Sequence, residues 1–175
     1  MKTAPFPPHW IFIAYLLLTF YCLGAAVMNE FVEYQGWAEL GPYLSAADFA
    51  AWHRATAQHT MPLLTVPAVL LTGVLGLLYW YLPPAVPRAA LWLALACHAV
   101  FWVSTLAVQW PLEGELSQGG FTAELMARLL RTDWLRKLLL LVEAPLALFM
   151  AHRTLRPPRP QGQPQAAQGR APALG

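Results

Sequence analysis

Charged residues are scarce in this 175-residue chain: 11 Lys and Arg and 9 Asp and Glu make up 11% of it, against roughly 25% in an ordinary soluble domain. Three stretches lack charge altogether. No Asp, Glu, Lys or Arg falls between Lys2 and Glu30, between Arg54 and Arg88, or between Arg88 and Glu113, and these gaps hold 27, 33 and 24 residues. Each exceeds the ~18–20 apolar residues that cross a bilayer core. A fourth stretch, Trp134 to Ala151, carries only Arg136, Lys137 and Glu143. This pattern excludes a soluble enzyme. A clustered basic face is also missing from a chain of net charge +2, which excludes nucleic acid as a partner, because phosphate binding needs such a face. Cysteine is nearly absent. Cys22 and Cys97 sit far apart, each inside an apolar stretch, which excludes a zinc ribbon or disulfide scaffold and reads as two small buried residues. No Gly-rich phosphate loop occurs either, so nothing points to a nucleotide.

What is present is apolar, at 58% of residues, and organised in four spans: about 9–29, 60–82, 89–108 and 134–152. Pro83, Pro84 and Pro87 stop the second span and force a turn. Residues 30–59 read as a loop followed by a helix from Ser45 to His59, with Ser45 and Asp48 spaced like a capping box. Only Pro62 separates that helix from the second span, so one long, kinked helix projecting beyond the membrane is expected. Between the third and fourth spans Gly119-Gly120 breaks the chain. Phe121, Leu125, Met126, Leu129 and Leu130 then recur at helical spacing, with Glu124 and Arg128 paired at i,i+4, and this segment is expected to lie on the membrane surface. Residues 156–175, rich in Pro, Gln, Ala and Gly, read as a disordered tail. The fold class is therefore all-α: one domain, residues 1–155, forming an integral membrane four-helix bundle with helical extensions on the non-cytoplasmic side.

Basic residues set the expected orientation. With both termini cytoplasmic, the inner side carries Lys2, Arg88, Arg153, Arg156, Arg159 and Arg170 and no acid, while eight acids lie outside; this satisfies the positive-inside rule and makes the tail cytoplasmic. The location it implies is a bacterial inner membrane. A competing reading takes the first span as a signal peptide cleaved near Gly24 and Ala26, but the apolar run is long enough to remain as a helix.

Two groups of residues could carry chemistry. Glu143 lies near the bilayer midplane, where an ionisable group is costly unless paired or facing a cavity. His98 falls at about the same depth on the third span, so a His–carboxylate contact is available to hold a ligand or relay a proton; packing glue is the plainer alternative. A bis-His haem is not expected, since no second His shares that depth. The second group lies at the outer mouth: Asn29, Glu30, Glu33, Tyr34, His53, His59, Asp133 and Arg136. Carboxylates and imidazoles there could act as acid and base, or bind a metal through His53, His59 and Glu30, although His53 and His59, six apart, face different sides of a helix. A solvated rim is the alternative. Of the eight Trp, Trp10, Trp37, Trp80, Trp110 and Trp134 fall near span ends, as in an interfacial belt.

The stretches Phe31-Val-Glu-Tyr-Gln-Gly-Trp37, Phe49-Ala-Ala-Trp-His53, Ser104-Thr105 leading to Gln109-Trp-Pro-Leu112, and Arg131-Thr-Asp-Trp-Leu-Arg136 resemble a family of small bacterial four-span membrane proteins. These are similar in layout to the domain-of-unknown-function group that includes the fungal anthrone oxygenases. The resemblance covers roughly residues 10 to 155. In that group the third helix ends in Pro-Leu-Asn, where this chain has Pro111-Leu112-Glu113, and the fourth begins with a Trp and an Arg, matched by Trp134 and Arg136. The resemblance implies a bundle with polar residues gathered at one end and oxidation of an aromatic or quinone-like substrate.

The resulting expectation is a protein that binds, and could oxidise, an apolar aromatic or quinone-like small molecule at the outer mouth. His53, Glu33 and Arg136 are its acid, base and anion contacts, with Tyr34, Trp37, Gln109, Trp134, His98 and Glu143 lining the ligand site. No particular cofactor is indicated. The alternative is a non-catalytic subunit or scaffold, and either a homo-oligomer or a membrane complex partner fits the composition beside the lipid bilayer itself.

Overall fold

A computed structural model describes residues 8–155; the tail at 156–175 and Lys2 lie outside the described residues. Among the described residues there is no strand. The first rod is α1 (Pro8–Met28), which runs through a π-helical turn, Asn29–Tyr34, into α2 (Gln35–Leu40) and closes in a 3-10 turn, Gly41–Tyr43. The second is α3 (Ala46–Trp80). The third is α4 (Arg88–Ser104), which passes through a second π turn, Thr105–Gln109, into α5 (Trp110–Gly119). The fourth is α6 (Ala123–Leu155). Each rod contains a stretch of 32 to 35 residues that is long and apolar enough to cross a membrane. The α1 rod packs on α3 and α6, α4 packs on α6 and α3, and α5 lies on α3, so the protein is an all-α four-helix bundle of the multi-pass membrane class.

Two expectations are corrected. Residues 30–43 are not a loop: the first rod continues through them in helical form, because its first proline beyond Asn29 is Pro42, and the π turn keeps the backbone ladder closed with i→i+5 bonds. Residues 123–132 are not a separate surface segment either but the first turns of α6, where Thr122 Oγ1 accepts from the Leu125 amide at 3.1 Å. Their apolar side chains Met126 and Leu129 pack inward with Tyr34, Trp37, Phe49, Leu112 and Leu116. The long helix expected across Pro62 is present as α3. Its N-cap Ser45 accepts from the Asp48 amide at 3.2 Å and donates to the Asp48 carboxylate at 2.6 Å, whereas a true capping box would close on the Ser45 amide.

Gly120 makes the turn between α5 and α6. Its φ of 80° and ψ of −172° belong to a region that only glycine occupies freely, and a Cβ there would overlap the backbone of Ala46. The turn at Pro83–Pro87 closes with the Val86 amide on Pro83 O at 3.0 Å.

Proline within α3 exposes a further device. Pro67 cannot donate to the carbonyl four residues before it, that of Leu63, and Tyr21 of α1 donates its hydroxyl to that oxygen at 3.2 Å. Inside a bilayer such a carbonyl has no water to turn to.

Apolar side chains cover both the inside and the outside. One core cluster, including Tyr15, Leu71, Leu75, Leu78, Leu91 and Met150, fills one part of the bundle, and the Tyr34–Phe49–Leu129 cluster fills the projecting end. Outward-facing Leu17, Leu63, Val66, Val69, Val103 and Leu138 are more than half exposed, as lipid contact requires. Trp10, Trp80, Trp110 and Trp134 are outward as well, but Trp37 is buried and does not belong to the belt.

Candidate functional site

Between the two apolar clusters lies a band of buried polar side chains: Asn29, Glu30, Gln109, Glu113, Asp133 and Lys137. The π turns put part of it there. Asn29, Glu30 and Tyr34 are buried in the first turn and Gln109 in the second, and the wider turn changes the angular register of the helix so that residues of an otherwise outward course face inward. Thr105 Oγ1 donates to Phe101 O at 2.8 Å at the start of the second.

The charges in this band are paired. Lys137 Nζ donates to Glu30 Oε2 at 2.6 Å and also to Asp133 Oδ2, and Asp133 Oδ1 accepts from Arg136. Arg136 Nη2 donates to Tyr34 Oη at 3.2 Å, and Tyr34 donates to Glu113 Oε1 at 3.0 Å. Asp133 thus bridges two adjacent cations, and the network ties α1 and α5 to α6. Removing one member of such a buried network strands the others.

Arg136 and Asn29 line two small chambers of about 60 Å³ each, which also share Leu64, Ala68 and Phe101. One chamber adds Trp102, Gln109, Trp110 and Glu113; the other adds Cys22, Asp133 and Lys137. Asn29 and Leu64 also line a larger groove of about 490 Å³ between α1 and α3, walled by Phe20, Tyr21, Met28, Val32 and Leu63, with Glu33 at its polar end. Several of these walls are outward and lipid-facing. Buried atoms with no hydrogen-bond partner among the described residues include Gln109 Oε1, Glu113 Oε2 and Glu33 Oε2.

Of the residues singled out from the sequence, Arg136, Tyr34 and Gln109 are brought together here, and Glu33 lies on the adjoining groove. His53 is not part of the chambers. It is buried against Trp37, at 4.4 Å between ring centroids, and stacked on Phe49 at 6.0 Å, with Nδ1 2.9 Å from Ser117 Oγ. An α-helix of 35 residues is about 52 Å long, so α3 projects roughly 20 Å past a 30 Å hydrocarbon core, and His53, near its start, lies in the projecting part. Burial pushes its imidazole down to about 4, so it stands neutral in the packing of the projecting end. Trp37 shares that cluster. Trp134 faces outward, with Lys137 Nζ 5.3 Å from its ring centre.

The metal candidates are not assembled. His59 is exposed, His53 is enclosed by aromatic rings, and Glu30 is engaged with Lys137; among the described residues no three of His, Cys, Asp and Glu stand close enough to hold an ion. The helical turn explains it, since six residues carry His59 to the far side of α3 from His53.

His98 and Glu143 do meet. Nδ1 lies 3.5 Å from Glu143 Oε1, and both side chains are buried, about 10 Å along α6 from Arg136 at 1.5 Å per residue. Thr72 holds the other side of the ring. Its hydroxyl donates to Ala68 O at 2.8 Å and accepts from Trp102 Nε1 at 2.9 Å. With that proton spent, the 2.8 Å contact to His98 Nε2 requires Nε2 to be the donor. The ring is thereby fixed with Nδ1 toward Glu143. No proton passes through Thr72, whose hydrogen ends on a backbone carbonyl.

Glu113, Lys137 and Asn29 belong to the site but were not among the ligand candidates. The i,i+4 spacing of Asp133 and Lys137 on one helix face is a signal that would have found Lys137; nothing in the residue pattern marks the π turns that turn Asn29 and Gln109 inward.

No family model, curated protein or solved structure matches this chain. The class is therefore set by the fold and the site alone: an all-α, multi-pass membrane bundle with a buried polar band beside an apolar groove.

Proposed function

We propose that this protein binds an apolar aromatic or quinone-like small molecule in the polar band, with Arg136, Tyr34, Gln109, Glu113 and Asn29 holding its polar end and the groove between α1 and α3 taking its apolar body. The observation that carries this reading is the placement of Gln109 and Glu113, each with an unpartnered buried oxygen, on a chamber lined by Phe101, Trp102 and Trp110. An unsatisfied buried polar atom costs stability that a ligand's hydrogen bond recovers. The groove supports entry from the lipid, where an apolar compound concentrates. The resemblance to the anthrone oxygenase group adds oxidation of that compound as the reaction class, and His53, enclosed in the projecting end, is not part of the proposed site.

The proposed setting is a bacterial inner membrane with both termini cytoplasmic, so that the polar band and projecting helix ends face outward. It rests on the order of the sequence, in which Lys2, Arg88, Arg153 and the basic residues after it are assigned by four spans to one side with no acid among them. The test is equilibrium binding of a quinone and hydroquinone panel to the purified protein in lipid nanodiscs, followed by tryptophan fluorescence. Arg136→Ala is expected to abolish saturable binding; saturable binding unchanged by that substitution sinks the assignment of the site.

A further inference from the structure

The proposed site has a polarity that its hydrogen bonds fix. Thr132 Oγ1 donates its one proton to Arg128 O at 2.8 Å, so at the 3.0 Å contact with Gln109 it can only accept. Gln109 therefore presents its NH2 to Thr132, and Oε1, fully buried, is the atom left over. It is an acceptor. Beside it Tyr34 delivers its hydroxyl proton to Glu113 Oε1 and is itself held by Arg136, which leaves Glu113 Oε2 without a partner on the same chamber. The third unpartnered oxygen, Glu33 Oε2, lies on the groove.

From this polarity we infer that the ligand is an uncharged hydroxyl-bearing aromatic, a phenol or hydroquinone, bound in preference to its quinone or ether counterpart. The inference rests on the proposed binding function and narrows it. A quinone offers only acceptors, which would face Gln109 Oε1 acceptor to acceptor. A hydroxyl donates to it. The chamber volume of about 60 Å³ admits the hydroxyl end of a ring beside Phe101 and Trp102, and the groove beyond Asn29 and Leu64 accommodates an alkyl substituent reaching into lipid.

Three probes that share one ring and one alkyl chain decide the matter: a decyl-substituted benzohydroquinone, its quinone, which matches it in size, and its dimethyl ether, titrated anaerobically into the nanodisc-embedded protein. The hydroquinone is expected to bind at least about tenfold more tightly than the other two, the value of one buried hydrogen bond gained against one acceptor left unpaired. Gln109→Leu is expected to remove most of that preference. Equal or tighter binding of the quinone or ether overturns the donor requirement and leaves the binding function standing. If none of the three binds, both fall. The comparison among probes on the unsubstituted protein decides the question even if the Gln109 variant does not fold.

Discussion

The hydroxyl of Tyr21 lies 3.2 Å from the carbonyl oxygen of Leu63, the acceptor that Pro67 leaves without its helical donor. One side chain of α1 thus completes the backbone ladder of α3, at the wall of the groove that both helices form. Proline in a membrane helix is tolerated where a neighbour satisfies the freed carbonyl, and here that neighbour is identifiable.

Tyr21→Phe is expected to destabilise the bundle by about 1 kcal/mol, the net value of one hydrogen bond. In a Pro67→Ala background, where the helix supplies its own donor, the same substitution is expected to cost less. Unfolding titrations of the four proteins in mixed detergent measure the difference as a double-mutant cycle. Equal costs in both backgrounds would show that the hydroxyl does not serve Leu63.

His98 Nδ1 and Glu143 Oε1 lie 3.5 Å apart, both side chains are buried, and neither atom has a hydrogen-bond partner among the described residues. His98→Leu is expected to destabilise by roughly 3–5 kcal/mol, because Glu143 is left without its counterpart in the low-dielectric interior. Adding Glu143→Leu is expected to recover a large part of that loss. A double variant as unstable as the sum of the two single ones would mean that the residues act independently.

His53 gives the projecting end a dependence on pH. Its imidazole titrates near 6.5 when unfolded and at about 4 in the folded protein, so the unfolded chain binds the extra proton first. Stability from this group is complete above 6.5 and is lost as pH falls from 6.5 toward 4, by up to about 3 kcal/mol. Carboxylates titrate in the same window, so the check is the difference between the wild type and His53→Gln: the variant's stability should fall less steeply over that range. Parallel slopes would refute the assignment.

Three spans were legible in the sequence because absence of charge over a bilayer's thickness has one physical meaning, and the fourth from its apolar run around Arg136, Lys137 and Glu143; a long apolar rod runs through each. The contact between His98 and Glu143 was legible for a related reason: counting residues along two helices fixes depth. The continuation of the first helix past Asn29 was not, because polar residues such as Asn29 and Glu30 at the end of an apolar run look alike whether they enter water or turn into a buried band. His53 shows the converse error. An imidazole near acids suggested chemistry, but Trp37 and Phe49, distant in sequence, enclose it, and only tertiary packing reveals that. Arg136 and Gln109, singled out in the sequence, line one chamber together, while the hydrogen-bond polarity of Gln109 depends on Thr132, which carries no signal of its own.

The π turn at Asn29–Tyr34 has a consequence for how this chain tolerates changes in length. A five-residue hydrogen-bonded step holds one residue more than the α-helical step that replaces it, so the first rod can absorb a single deletion in this segment by reverting to α-helix. The rod would stay continuous, and because the α-helical step takes up the missing residue, everything beyond the deletion would keep its angular position about the axis. Tyr34 and Trp37 would stay on the interior face. A single deletion here is thus cheap for the rod, whereas a deletion in the turn at Gly120 would break the connection between rods outright.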